Sequence, residues 1–549
     1  MRIRFTHNEP GRVRAVCTFG SCPWKIFASR FERNSVEFQV KSNNLIHECG
    51  RVERHPFLDY KWIAKNYTES FRDNKRLSAA EVINSVNQDR VLQISTSQVY
   101  RAKEFAIQMM EGSYAEQYAL LWDYCEELKK KNLGTTAKIK VEMGADGAPI
   151  FHRIYICLAA CKKGFLEACG PLIRLDGCHT KGPFRGQLLS AVGVDANNCM
   201  YPIAYSIVEQ ENTESWGWFM ELLVKDLGSQ HGKGWTFISD RQKGLVQVLE
   251  QFVPEDEHRF CVRHVYNNFN KKYKGEALRA EVWAAAKSTT VGSFITVMDR
   301  IKALDVAAYE WLMNRRPQEW SKSHFCEHSK YGVLLNNWCE AFNGTEMLLE
   351  AREKPILSCL DHVGRWHGEI RDRVHKILER NKLQSGWCHP IANGFSKFQI
   401  THGMGGPYAV NLAHKSCSCK AWDISGITCP HAVAAIYHER GDPMDYVNHY
   451  YKKEAMLKAY SFEHIPLSDQ KEWAKTGLVP IKAPLIRSQP GRPKRLRKRK
   501  PNEPAQNPNE LKRYNTCERR KQKQNVCVVL NFSFLLLAHK EHVFLRTNW

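Results

Sequence analysis

Pro171-Leu-Ile-Arg-Leu-Asp176, Gln187-Leu-Leu-Ser-Ala-Val-Gly-Val194, Tyr201-Pro-Ile-Ala-Tyr-Ser-Ile-Val208 and Trp235-Thr-Phe-Ile-Ser-Asp240 decide how this chain folds. Each is a short run of aliphatic and aromatic residues, the signature of a strand. Asp195-Ala-Asn-Asn-Cys199 supplies a hairpin turn between the second and third. An apolar-periodic helix spans Glu214 to Leu227, and another follows from Lys243 to Phe252. Strands interleaved with helices in this way predict an α/β domain. The first and fourth runs both end in an acid. If those strands are neighbours, two carboxylates meet, and like charges that close call for a cation. Hard Mg²⁺ or Mn²⁺ with oxygen ligands fits. Two such ions about 3.5–4 Å apart can stabilise the attacking and leaving oxygens of a phosphodiester. Glu340, in Asn336-Asn-Trp-Cys-Glu-Ala-Phe-Asn343, is the candidate third carboxylate from a later helix. Taken alone, Asp176 and Asp240 read more simply as caps or turn formers.

The chain has 549 residues, 43% apolar and 25% charged, enough for several buried cores. That balance excludes a wholly disordered chain, a collagen-like repeat and an acidic activator. The formal charge is +22, and residues 481–549 hold 17 basic but only 4 acidic side chains. The body is therefore mildly basic and the tail is a basic arm suited to a polyanion such as nucleic acid. Residues 1–50 alternate in a β-like way. Residues 56–110 are helical in pattern: Leu77-Ser-Ala-Ala-Glu-Val-Ile-Asn-Ser-Val86 is amphipathic with Ser78 as a cap, and Ser95 to Lys103 opens a second helix. Periodicity favours a plain linker bundle here over a helical DNA reader. Residues 266–330 are helical and rich in Trp and Ala, and no repeat has a fixed period.

The 19 cysteines are an odd number with no secretory signal at Met1, which points to zinc rather than disulfides. Cys417-Ser-Cys419 and Cys429-Pro-His431 are two close ligand pairs joined by a short loop, the spacing of a tetrahedral zinc site. Cys17, Cys22, His47 and Cys49 repeat that logic across a longer loop, where zinc is favoured over free thiols. The longest apolar run, Val526 to Ala538, is too short to span a bilayer, which takes about 20 residues.

Leu175-Asp-Gly-Cys-His-Thr-Lys-Gly182, Phe237-Ile-Ser-Asp-Arg-Gln-Lys-Gly-Leu245, Phe260-Cys-Val-Arg-His-Val-Tyr-Asn-Asn-Phe269, Asn336 to Asn343 and Ala351-Arg-Glu-Lys-Pro-Ile356 occur in that order. As a set, over about residues 10–480, they resemble the transposases of plant Mutator-like elements, the MULE or MuDR family. The resemblance implies an RNase H-like fold with a DDE triad at Asp176, Asp240 and Glu340 and a helical insertion before the glutamate. It also implies cutting and joining of DNA with water or a 3′-hydroxyl as nucleophile. Cys261 and His264 match a Cys-x-x-His signature of that family, a spacing that on a helix puts both side chains on one face. Two ligands do not close a zinc site, so packing is favoured over metal there.

Tyr408 to Ile436 closely resembles a SWIM zinc finger, which implies a DNA- or protein-binding module. The arrangement around Cys17-x4-Cys22-Pro-Trp24 and His47-Glu-Cys49 resembles the N-terminal finger of Mutator-type transposases, related to WRKY-like fingers. Relatives carry more chain ahead of this point, which implies a shortened front end. Gly491-Arg-Pro-Lys-Arg-Leu-Arg-Lys-Arg-Lys500 resembles an AT-hook, with Arg492, Lys494 and Arg495 as DNA contacts, and also suits nuclear import. Asn525 to Trp549 matches no known pattern.

The fold expected is thus α/β: an RNase H-like DDE core with a helical insertion, flanked by small zinc-binding domains and a disordered basic tail. The boundaries expected are a finger at 1–50, a helical linker or DNA-binding region at 51–165 and the transposase domain at 166–380, its insertion near 266–330. A SWIM finger at 400–440 and the tail at 481–549 complete them. The expected activity is DNA strand cleavage and transfer with zinc and Mg²⁺ or Mn²⁺, in the nucleus, by a protein outside membranes. DNA is the expected partner, with a homo-oligomer and protein partners through the SWIM finger left open. The rival is a domesticated, DNA-binding transcriptional regulator without catalysis.

Overall fold

The computed structural model describes residues 3–32, 36–49, 58–73, 77–90, 93–111, 114–180, 184, 186–228, 234–240, 243–336, 368–370, 372–403 and 406–484. Glu340, the Ala351–Ile356 motif and the basic run with Arg492, Lys494 and Arg495 lie outside them. The chain divides into two compact units, residues 1–117 and 118–549.

In the first unit, β1 (Ile3–Glu9), β2 (Arg12–Cys17), β3 (Lys25–Arg30) and β4 (Phe38–Asn44) pair in chain order as an antiparallel sheet. Helices α1 (Tyr60–Asp73), α2 (Ala79–Arg90) and α3 (Thr96–Glu111) enclose a small core of Ile63, Phe71, Val82, Val86 and Val99. Ser78 caps α2 as its sequence predicts: its hydroxyl accepts the Glu81 N–H, and the Glu81 carboxylate accepts the Ser78 N–H. Ser95 and Gln98 repeat the device at α3.

A short α4 (Tyr114–Ala119) and then α5 (Leu121–Lys131) lead into the second unit, whose centre is a seven-stranded sheet. Its strands are β5 (Thr136–Met143), β6 (Pro149–Cys157), β7 (Leu172–His179), β8 (Gln187–Val194), β9 (Met200–Val208), β10 (Thr236–Ser239) and β11 (Glu257–Phe260). They lie in the order β11-β10-β7-β8-β9-β6-β5. β7, β8 and β9 form an antiparallel meander, and β10 and β11 run parallel to β7 at its open side. Helix α6 (Ala159–Ala168) precedes β7, α7 (Thr213–Leu227) crosses from β9 to β10, and α8 (Lys243–Phe252) crosses from β10 to β11. Trp216, Phe219, Met220 and Leu223 of α7 pack with Leu245 and Val248 of α8 on one face of the sheet.

Two expectations change. Residues 51–165 are not a helical region throughout, because β5 and β6 belong to the main sheet. Thr136 to Met143 alternates apolar and charged residues, which suits an edge strand with one wet face. Asp176 also does not end its strand: β7 continues to His179, paired with β8 throughout.

After β11 the chain is helical, with α9 (Val262–Lys272), α10 (Glu276–Lys287), α11 (Val291–Leu304) and α12 (Val306–Met313) around their own core of Phe269, Val282, Phe294, Ile301 and Trp320. Then come α13 (Asp372–Ser385) and a four-stranded antiparallel sheet of β12 (Cys388–Ala392), β13 (Lys397–His402), β14 (Tyr408–Asn411) and β15 (Ser416–Cys417). Helices α14 (Ala421–Ser425), α15 (Pro430–His438) and α16 (Lys453–Tyr460) follow. Val433 of α15, Val374 and Leu378 of α13 and Leu172, Val194 and Ile238 of the main sheet share one buried cluster. The Cys/His module is therefore built into the second unit.

Gly164 of α6 lies where α16 docks. A methyl group there would sit 2.1 Å from the Ala459 carbonyl oxygen and 2.2 Å from the Tyr201 hydroxyl, which donates to that carbonyl at 3.0 Å. Gly164→Ala should destabilise the unit by about 1–3 kcal/mol, read as a lower urea midpoint at unchanged m-value.

Candidate functional site

Backbone pairing joins the two strands that lead to the aspartates. β7 and β10 are parallel, with Thr236 opposite Leu172, Phe237 opposite Ile173 and Ile238 opposite Arg174. Asp240 and Asp176 each lie two residues beyond the last of these pairs, Asp240 just past the end of β10. Both lie on the side where the parallel strands present their carboxyl ends, the usual position for a ligand crevice in such sheets.

A third acid joins them that the sequence reading missed. Glu211 directly precedes Asn212, whose side chain accepts the Ser215 N–H at 2.8 Å and so starts α7. Its carboxylate packs on Gly177, the neighbour of Asp176: a methyl group at 177 would stand 2.7 Å from Glu211 Cδ. The buried Trp216 indole donates to Glu211 Oε1 at 3.2 Å. Burial, with the charge of Asp240 adding to it, pushes the Glu211 carboxyl up to about 7. The flanking residues are anchored: the buried Arg153 guanidinium donates to both oxygens of Glu209 at 2.8 and 2.6 Å and pairs with Glu214 at 3.1 Å. An acid just ahead of an Asn-x-x-Ser cap after a strand is the sequence signal that could have found Glu211.

Cys261 and His264 are not two positions on one face of a helix, as their spacing predicts. Cys261 is the N-cap of α9, ahead of its first residue, and it hydrogen-bonds with His264. Among the described residues no third His, Cys, Asp or Glu completes a metal group with them. Glu257, Cys326 and His328 do converge, yet the Glu257 carboxylate is already held by Arg259 at 2.7 Å and by Thr236 at 2.9 Å.

The other predicted sets are brought together in full. The ligand atoms of Cys417, Cys419, Cys429 and His431 lie within 4.8 Å of one another, as do those of Cys17, Cys22, His47 and Cys49. Zn–S bonds of about 2.3 Å and Zn–N bonds of about 2.0–2.1 Å give tetrahedral edges of roughly 3.5–3.8 Å. His431 Nδ1 stands 3.7 Å from Cys417 Sγ and 3.9 Å from Cys429 Sγ. In the first unit, Cys17 Sγ is 3.5 Å from Cys49 Sγ, and His47 Nδ1 is 3.4 Å from both Cys22 and Cys49. Both sets fit zinc. Local chemistry orients them: Cys429 caps α15 with Pro430 at its first position, Tyr408 stacks on His431 at 3.8 Å, and Trp24 stacks on His47 at 4.9 Å. Hydrogen bonds from Cys417 and then Cys429 hold Cys419 well below the ordinary thiol range, while contact with Cys419 pushes Cys417 up and contacts with Cys417 and then Cys419 push Cys429 up. Against the upward push of desolvation, the backbone at Trp24 and Glu48 and the His47 ring hold Cys22 at about 6. Thiolates are what zinc requires.

The MULE transposase domain matches residues 172–268, and the SWIM zinc finger matches residues 406–439. The first match contains Asp176, Glu211, Asp240, Cys261 and His264, and the second contains all four ligands of the second zinc set. Together they support a transposase-like protein with zinc binding. The pairing is that of a MULE-type transposase with a SWIM finger. No curated protein matches the chain. Among the described residues no helix is long and apolar enough to cross a membrane.

Because the SWIM helix shares a core with the sheet, zinc removal should be felt beyond the finger. Chelation, or Cys429→Ala, should lower the thermal midpoint of the whole second unit, monitored by tryptophan fluorescence, in step with loss of zinc measured by elemental analysis. An unchanged midpoint would show that the finger needs no metal. Glu211 predicts a pH effect in metal-free protein. It keeps its proton to about pH 7 when folded but releases it near its ordinary 4.5 when unfolded. Stability should therefore fall as pH rises across that window, by up to about 1.4 kcal/mol per unit. Glu211→Gln should flatten the slope in urea titrations.

Proposed function

We propose that this chain is a DNA transposase whose core is RNase H-like and whose Asp176, Asp240 and Glu340 hold divalent metal for phosphodiester cleavage and strand transfer. The observation that carries the reading is the parallel pairing of β7 with β10, whose last pair, Ile238 with Arg174, lies two residues ahead of both Asp240 and Asp176. Three further features support it. An antiparallel meander followed by two parallel strands, each reached through one helix, is the order of an RNase H-like core. A helical block with its own core follows the second acid and precedes Glu340 in the sequence. The matched transposase domain spans both aspartates. Mg²⁺ or Mn²⁺ between the carboxylates would activate water or a 3′-hydroxyl and stabilise the leaving oxygen.

DNA is the substrate in this reading. The zinc-holding N-terminal finger and the basic run at residues 491–500 are the proposed binding elements, with Arg492, Lys494 and Arg495 neutralising phosphates. The same run directs the protein to the nucleus. The zinc sets shape the fingers and take no part in the chemical step.

Purified protein should nick supercoiled DNA in Mg²⁺ or Mn²⁺. Asp176→Asn and Asp240→Asn should each abolish nicking and leave DNA retention in gel-shift assays unchanged, because binding rests on basic surfaces and not on the acids. Wild-type protein that binds DNA but never nicks it, in either metal, would point instead to a transposase-derived regulator without catalysis.

A further inference from the structure

We propose, resting on the reading that Asp176 and Asp240 hold divalent metal, that Asn336 and Cys261 are positioning residues: together they latch residues 334–336 onto the strands that lead to the two aspartates and hold those strands in place. Cys261 follows β11, and its N–H donates to the Ser239 carbonyl at 2.8 Å, one residue before Asp240. Its Sγ accepts the Asn336 N–H at 3.2 Å. The Asn336 side-chain amide donates to the Leu175 carbonyl at 2.9 Å, one residue before Asp176. The Val262 N–H donates to the Leu334 carbonyl at 2.8 Å. Residues 334–336 are thus tied to the middle of β7, to the residues that follow β11, and through Cys261 to β10. Asn336 is only 1% exposed, so these bonds form without competition from water.

The approach to the latch is fixed as well. Fully buried Arg259 donates to the carbonyls of Tyr331 and Cys326 and to the Ser329 hydroxyl. From the SWIM side, the Lys330 ammonium donates to the Asp423 carbonyl at 2.9 Å, and the Tyr451 hydroxyl donates to the Lys330 carbonyl at 2.9 Å. A slack latch would loosen the strands beside Asp176 and Asp240, because its bonds fall on the residues directly before each of them. Cys261 serves here as a hydrogen-bond acceptor and not as a zinc ligand. A misplacement of about 1 Å in a catalytic group costs on the order of 10²-fold in rate.

The test is plasmid nicking by the full chain, with kcat and KM for DNA measured separately, beside hydrogen exchange at the Asn336 amide. Asn336→Ala and Cys261→Ala should lower kcat by about 10²-fold with KM for DNA and zinc content unchanged. Cys261→Ser, which keeps an acceptor, should restore most of the rate. The Asn336 amide should exchange slowly in wild type and in Cys261→Ser, and quickly in Cys261→Ala. If wild type nicks and both alanine variants nick equally well, the latch fails alone. Loss of zinc in Cys261→Ala and Cys261→Ser alike would overturn it in favour of a metal site. If wild type does not nick although Asn336 is protected, the metal reading fails and the positioning role falls with it.

Discussion

The pairing of β7 with β10 is the constraint on which the rest of the second unit depends. Parallel strands cannot be joined by a tight turn, so the chain must leave the sheet after β9, cross one face as α7 and return. That crossover is anchored at its start by the Asn212–Ser215 capping box and by Arg153 on the flanking Glu209. It is anchored along its length by Trp216, Phe219 and Leu223 in the sheet's core. Once β10 is seated, Asp240 and Asp176 each stand two residues beyond its last pair with β7, Ile238 with Arg174. Side-chain packing then decides only how firmly that pairing is held.

Around this pair the molecule spends buried polar groups where geometry has to be fixed. Arg153 and Arg259 are fully buried, and each is engaged by several partners; one fastens the entry to α7 and the other the exit from the helical block. A buried cation satisfied on several sides costs stability relative to an apolar core, yet it specifies one arrangement of the segments it joins. Both segments flank the acids. The SWIM finger adds to this, since Val433 shares a cluster with Leu172 and Ile238 and Lys330 reaches Asp423. The finger and the sheet are parts of a single packed unit.

The sequence was readable where hydrophobic period and ligand spacing are local. The three strands of the meander, the helices beside them and the Ser78 cap are all present as their residues imply, and both Cys/His sets converge as their spacing implies. Legibility failed where position depends on a partner. Asp176 looks terminal because Gly177 and the polar Cys178-His-Thr interrupt the apolar run, but pairing with Leu188 and Gln187 carries the strand onward. β11 is only Glu257-His-Arg-Phe260, too polar to stand out, and it forms because β10 offers an edge and Arg259 finds buried partners. Glu211 was hidden because its partners, Gly177 and Trp216, come from a neighbouring strand and from α7. Cys-x-x-His suggested a helical face, whereas Cys261 sits outside the helix as its cap.

The central claim is that adjacent strands bring Asp176 and Asp240 to one divalent cation. Its most direct measurement is a crystal structure of the full chain soaked in Mn²⁺, with the anomalous signal locating the ion. The account predicts a peak bonded to carboxylate oxygens of both residues at about 2.0–2.4 Å, the range of hard divalent cations, and no such peak in Asp240→Asn. Manganese found only elsewhere, or carboxylates too far apart to share it, would contradict the account.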